Sequence, residues 1–112
     1  MQLLIIVLNR VNQLDELIET MVEHGFTGAT ILNSTGMLRE LAKSNEDFPL
    51  FGSLRYLIDT DREESKTIFM ALRDEQIEEA KQVVRTVVGD LSKPDTAVLF
   101  VLPILSVEGI EY

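Results

Sequence analysis

Six consecutive apolar residues, Leu3 to Leu8, stop abruptly at Asn9-Arg10. A run that short, without helical spacing, predicts a strand buried on both faces. Asn12, with Asp15 three residues on, reads as a helix N-cap and its partner. Leu14, Leu17, Ile18, Met21 and Val22 then recur at the spacing of one helical face, which ends near His24-Gly25. Gly28 to Asn33, GATILN, predicts a second strand, and Thr67 to Leu72, TIFMAL, a third. Ile77, Ala80, Val84 and Val87, flanked by Val83 and Val88, form the stripe of a second helix stopped by Gly89-Asp90. Lys93-Pro94-Asp95 is a turn signal, Thr96 to Leu102 predicts a fourth strand, and Pro103 closes its regular part.

The order is strand, helix, strand, a long connection, then strand, helix, strand. The expected fold class is therefore α+β, a ferredoxin-like βαββαβ chain with two helices on one face of a four-stranded antiparallel sheet. Two helices cover only one face, so the other should alternate with polar residues. It does not: LLIIVL, TIFMAL and AVLFVL are apolar at both parities. The simplest cover for the second face is the same face of another copy, which predicts a homo-oligomer.

The connection, about residues 40–65, is expected to run irregularly from a turn near Gly36 to Ser65, yet part of it has helical spacing. Leu50, Leu54, Leu57 and Ile58 recur as on a helix, Pro49 suits a first turn after Asp47, and Phe48, Phe51 and Tyr56 add apolar area. Two readings stand. This short helix packs on its own assembly, or Leu50, Phe51, Leu54 and Tyr56 form an exposed surface that grips a partner.

With 112 residues, 46% of them apolar, residues 1–112 are expected to form a single domain. The apolar start is too short to span a bilayer and lacks a preceding basic region, so neither a signal peptide nor an anchor is expected and the location expected is cytoplasmic. A formal net charge of -9 opposes binding to phosphate backbones, and nucleic acid is not an expected partner. Cysteine is absent and His24 is the single histidine, so no thiolate metal site is available and no second ligand lies near His24 in sequence. The carboxylates of the two helices lie opposite the apolar stripes, as solvated faces do. No nucleophile stands beside a base, and the loop pairs Asp59-Asp61 and Asp90-Asp95 have the commonplace look of solvated loop acids; no catalytic residue is assigned.

One stretch is a candidate site: ATILNSTGMLRE, Ala29 to Glu40. Gly36 permits close approach of a ligand to backbone, amides with the Ser34 and Thr35 hydroxyls can donate to an anion, and Arg39 adds a positive charge. Asn33, Ser34, Thr35, Gly36, Met37, Leu38 and Arg39 are the candidate ligand-binding residues. Ser-Thr-Gly equally serves to turn the chain, with Met37 and Leu38 capping the core.

The words LDELIETMVEHGFTGATI, STGMLR and LFVLPILSVEGI resemble the PII (nitrogen regulatory protein P-II) signal-transduction family. Leu14-Asp15-Glu16, Gly28-Ala29-Thr30, Gly36-Met37-Leu38-Arg39 and Phe100-Val101-Leu102-Pro103 stand where that family has LDE, GxT, G-F-G-R and F-V-L-P. The resemblance implies a non-enzymatic regulator, a homotrimer with sheets facing a threefold axis, and ligand clefts between subunits. Ligand contact along Asn33 to Arg39 is then expected, with Met37 and Leu38 as an apolar wall and Arg39 facing phosphate or carboxylate. No cofactor is required, and an adenine nucleotide is the default effector. The connection takes the place of the family's T-loop, implying an unidentified target protein such as the cytoplasmic face of a membrane transporter.

Several positions depart from the family. Asp95, Thr96, Ala97 and Val98 replace its glycine-rich, lysine-ended loop, Gly109 and Glu111 replace two arginines, and Glu40 replaces a glutamine. The neighbours of Tyr56 do not match the family's modified tyrosine, and no modification is assigned. STGMLR also resembles the turn of PII-like receptors for cyclic di-AMP. Two other expectations belong to different classes: a constitutive protein-interaction module without a small ligand, and a metal-binding trimer similar to the cation-tolerance proteins, in which His24 would take part.

Overall fold

The structure is a computed structural model that describes residues 1–44 and 64–110. The early apolar run forms β1, Gln2–Leu8, and the later ones form β3, Lys66–Leu72, and β4, Ala97–Pro103. β1 lies in the middle of the sheet, antiparallel to both, with Ile5 opposite Phe69 on one side and Phe100 on the other. β2, Thr30–Asn33, adds to the outer edge of β3, giving the strand order β2-β3-β1-β4. The molecule is thus α+β with a four-stranded antiparallel sheet, an arrangement compatible with the expected architecture.

Helices α1, Leu14–Glu23, α2, Met37–Ser44, and α3, Ile77–Val88, are the three α-helices among the described residues. Leu17 and Met21 of α1 and Ala80, Val83, Val84 and Val88 of α3 join Leu4, Ile6, Leu8, Ile68 and Met70 in one buried cluster. The 3.6-residue stripes of α1 and α3 meet Leu4, Ile6 and Leu8 of β1, which are wholly excluded from solvent. Gly89, at φ +95, ends α3 as expected, its N–H reaching the Arg85 carbonyl.

Local details differ from the sequence pattern. The chain enters α1 through a 3₁₀ turn, Val11–Gln13, so Asn12 lies inside that turn and does not cap the helix. The polar residues here serve the other helix instead. The Arg10 guanidinium donates to the Val88 carbonyl at 3.0 Å and the Gln13 amide to the Val87 carbonyl at 3.1 Å, satisfying acceptors that the end of α3 leaves open. β2 begins at Thr30 rather than Gly28, and β4 runs from Ala97 through Pro103, which an edge strand tolerates. The region after the turn is not irregular at once: α2 starts at Met37, with the Glu40 N–H bonded to the Gly36 carbonyl. The helix expected around Leu50 to Ile58, and with it the partner surface of Leu50, Phe51, Leu54 and Tyr56, lies outside the described residues.

Candidate functional site

Directly paired residues of an antiparallel sheet point to the same side. The register therefore places Leu3, Ile5 and Val7 with Thr67, Phe69 and Ala71, with Val98, Phe100 and Leu102, and with Thr30 and Leu32, on the face away from the buried helix stripes. Every strand position on this face is apolar or threonine, and none is charged. Val98, Phe100 and Leu102 keep 46%, 49% and 46% of their surface exposed. A chain in which 26% of residues are charged has left one whole sheet face without a charge.

The candidate turn stands at the β2 corner of this face. Its side chains divide between the two sides of the sheet. Asn33 pairs across to Lys66, whose ammonium donates to the Asn33 side-chain oxygen. Ser34 turns the other way, toward the open face. Its N–H donates to the Ser65 carbonyl at 3.0 Å, its hydroxyl lies 2.7 Å from the Ser65 hydroxyl, and the Thr67 hydroxyl donates to it at 2.7 Å. Thr35 and Gly36 are exposed, and Met37, 85% exposed, does not cap the core. Leu38 and Arg39, on the first turn of α2, are half-buried.

Of the seven candidate residues, Asn33 and Ser34 are thus tied to β3, Thr35, Gly36 and Met37 reach solvent, and Leu38 and Arg39 lean inward. Lys66 and Arg39 are the basic residues of this corner. Lys66 is oriented by a neutral amide and has no carboxylate partner among the described residues. Exposed amides with an arginine nearby on the same turn suit a small anion chemically. Sequence reasoning passed over Ser65, Lys66 and Thr67. The signal was present as Ser-Lys-Thr at the head of β3, where alternation sends both hydroxyls to one side and the lysine to the other.

At the opposite end of the sheet, where Gly28 and Ala29 fall outside β2, a cleft of about 690 Å³ opens between the Gly25 to Thr30 segment and Phe69 to Arg73. Leu3 and Ile110 also line it. A smaller apolar pocket of about 130 Å³ separates α1 from β2, beneath Ile18, Val22 and Ile31. The turn before β4 is compact. Asp95 adopts φ +58, and Thr96 is buried with its hydroxyl on the Lys93 carbonyl. Its own carbonyl accepts from the amides of both Asn9 and Arg10.

Perturbed carboxylates lie away from the turn. A hydrogen bond from the Gln2 amide, aided by the N-terminal ammonium, holds Asp74 below the usual carboxylate range, and the Ser92 hydroxyl and amide do the same for Asp90. His24 bonds Glu79 at 3.0 Å and so links α1 to α3. No group of three or more histidine, aspartate or glutamate side chains is arranged for a metal among the described residues, and no described helix is long and apolar enough to cross a membrane. No protein-family model matches the chain, and no curated protein matches it.

Proposed function

We propose that this chain is a non-enzymatic, PII-like regulatory protein of ferredoxin-like βαββαβ fold. It assembles as a homotrimer through the open sheet face and senses a small anionic effector at the clefts between subunits. The observation that carries the reading is the uncharged apolar face with the Asn33 to Arg39 turn at its corner. Such a face costs hydrophobic free energy while wet, and charge is confined to the other surfaces, so like faces of further copies cover it without bringing the acidic helices together. The turn then lies at the margin of an interface, where Arg39 and the Thr35 and Gly36 amides offer donors to phosphate or carboxylate.

An adenine nucleotide or related compound is the default effector. Its binding would favour one arrangement of the connection, so that affinities for effector and for an unidentified target protein change together by linkage. Cytoplasmic location belongs to the same reading.

Two measurements test it. Mass in solution should give a trimer, and a stable monomer removes the shared cleft. Calorimetry with ATP, ADP, AMP, cyclic di-AMP and bicarbonate should find one ligand whose affinity drops at least about tenfold in Arg39→Ala, the scale of a lost charge-assisted hydrogen bond. A trimer that binds none of the five supports the constitutive interaction module instead.

A further inference from the structure

β2 is a short edge strand with every residue exposed, and its ladder to β3 ends at the pair Asn33 and Lys66. Beyond that pair Ser34 leads into the long connection and Ser65 ends it. Bringing the ends of so long an excursion together carries an entropic cost that local bonds must offset. The β2 ladder is weakly placed to do this, since its hydrogen bonds lie at a solvated edge.

The bonds that follow the ladder converge on one residue. Ser34 makes three contacts, all to the returning strand: its N–H to the Ser65 carbonyl, and its hydroxyl to those of Ser65 and Thr67. The Thr67 hydroxyl donates to Ser34, and between Ser34 and Ser65 either hydroxyl can donate, so the three form one continuous chain of bonds. Ser65 is only 6% exposed, which shields the chain of bonds from competing water. These three hydroxyls sit at a corner of an otherwise apolar face, and the residues next after Ser34 are the exposed donors of the candidate turn.

We infer that Ser34, Ser65 and Thr67 form a hydroxyl latch that closes the base of the connection and fixes the Thr35 to Arg39 turn, with Thr67 as a positioning residue for that site. Ser34 then holds the turn rather than contacting a ligand, because its hydroxyl is committed to the latch. The consequence for effector binding rests on the proposed function; the closure itself does not.

Thr67→Val keeps the shape of the side chain and removes its hydroxyl, while Thr67→Ser restores it. Hydrogen exchange followed by NMR reads the Ser34 amide against the Ile6 amide of the central strand. In Thr67→Val the Ser34 amide should exchange about five- to tenfold faster, the yield of one net hydrogen bond, with Ile6 unchanged. Thr67→Ser should return it to the parental rate. Equal exchange in parent and Thr67→Val, failure of Thr67→Ser to restore it, or equal acceleration at Ile6 would each overturn the latch. Calorimetry with the same five ligands completes the test. A ligand that binds parent and Thr67→Val alike overturns the positioning role while leaving the proposed effector site standing. If none binds the parent, the effector reading fails, and a Ser34 exchange rate that follows the hydroxyl still supports the latch.

Discussion

The two faces of the sheet are built from nearly the same residue types and meet different fates. Leu4, Ile6 and Leu8 of β1 are wholly buried under α1 and α3, whereas Leu3, Ile5 and Val7, one position away in each case, are only half-buried. Alternation alone divides them. Apolar composition therefore does not say which face is the core. The helices decide that, because their stripes cover the even positions and leave the odd ones to whatever else the molecule meets. The uncharged second face is the observation on which the proposed assembly rests.

The comparison breaks most forcefully at adjacent residues. Ile6→Ala removes a side chain from a packed interior and should cost about 2 to 5 kcal/mol in urea unfolding, since the cavity adds to the lost transfer free energy. Ile5→Ala removes the same atoms from the open face and in an isolated chain should cost about 1 kcal/mol, in proportion to its smaller burial. If copies cover that face, the Ile5→Ala cost grows with protein concentration while the Ile6→Ala cost scarcely moves. Equal costs at all concentrations would mean that no copy covers the open face.

Phe100→Glu sharpens the same contrast from the other side. Phe100 lies opposite Ile5, near the middle of the open face, and is half-exposed. A carboxylate there is tolerated in water and costs several kcal/mol once enclosed. Sedimentation should show the variant as a folded monomer, with near-parental secondary structure by circular dichroism. A variant that unfolds outright would place Phe100 in the core, against the register.

The pattern of the chain carried much of this into view. The unbroken runs at Leu3 to Leu8, Thr67 to Leu72 and Thr96 to Leu102 announce strands because so short an apolar segment has no helical stripe, and doubled parity announces the second face. The α3 stripe and its Gly89 stop were equally plain. Hidden were effects that depend on contacts distant in sequence. Arg10 and Gln13 look like a polar break, yet they serve the carbonyls of Val88 and Val87. β2 was expected to start at Gly28, but its pairing with β3 begins at Thr30. The candidate turn was visible as Ser-Thr-Gly; its attachment through Ser65 and Thr67 was not, since those hydroxyls meet Ser34 only when β3 returns.

The smallest expected effect concerns where charge resides. Carboxylates are absent from the strand positions of the open face, and Asp90 lies in the loop after α3, its Oδ1 accepting from the Ser92 amide at 2.9 Å and hydroxyl at 2.7 Å. Those bonds favour the ionised form and hold its pKa below the ordinary value of 3.8. A carboxylate depressed in the folded state stabilises it fully at pH above the unfolded value and loses that contribution as pH falls through the folded one. The loss is thus confined to acid conditions below the ordinary aspartate range, and at such an exposed site it is slight. Ser92→Ala removes one of the two donors, so the Asp90 midpoint followed by NMR should move upward toward the ordinary value. The acid edge of stability should move upward with it, while the mass in solution stays as in the parent. If the mass changed as well, charge in this loop would be coupled to assembly, and the division between an acidic exterior and an uncharged face would not hold.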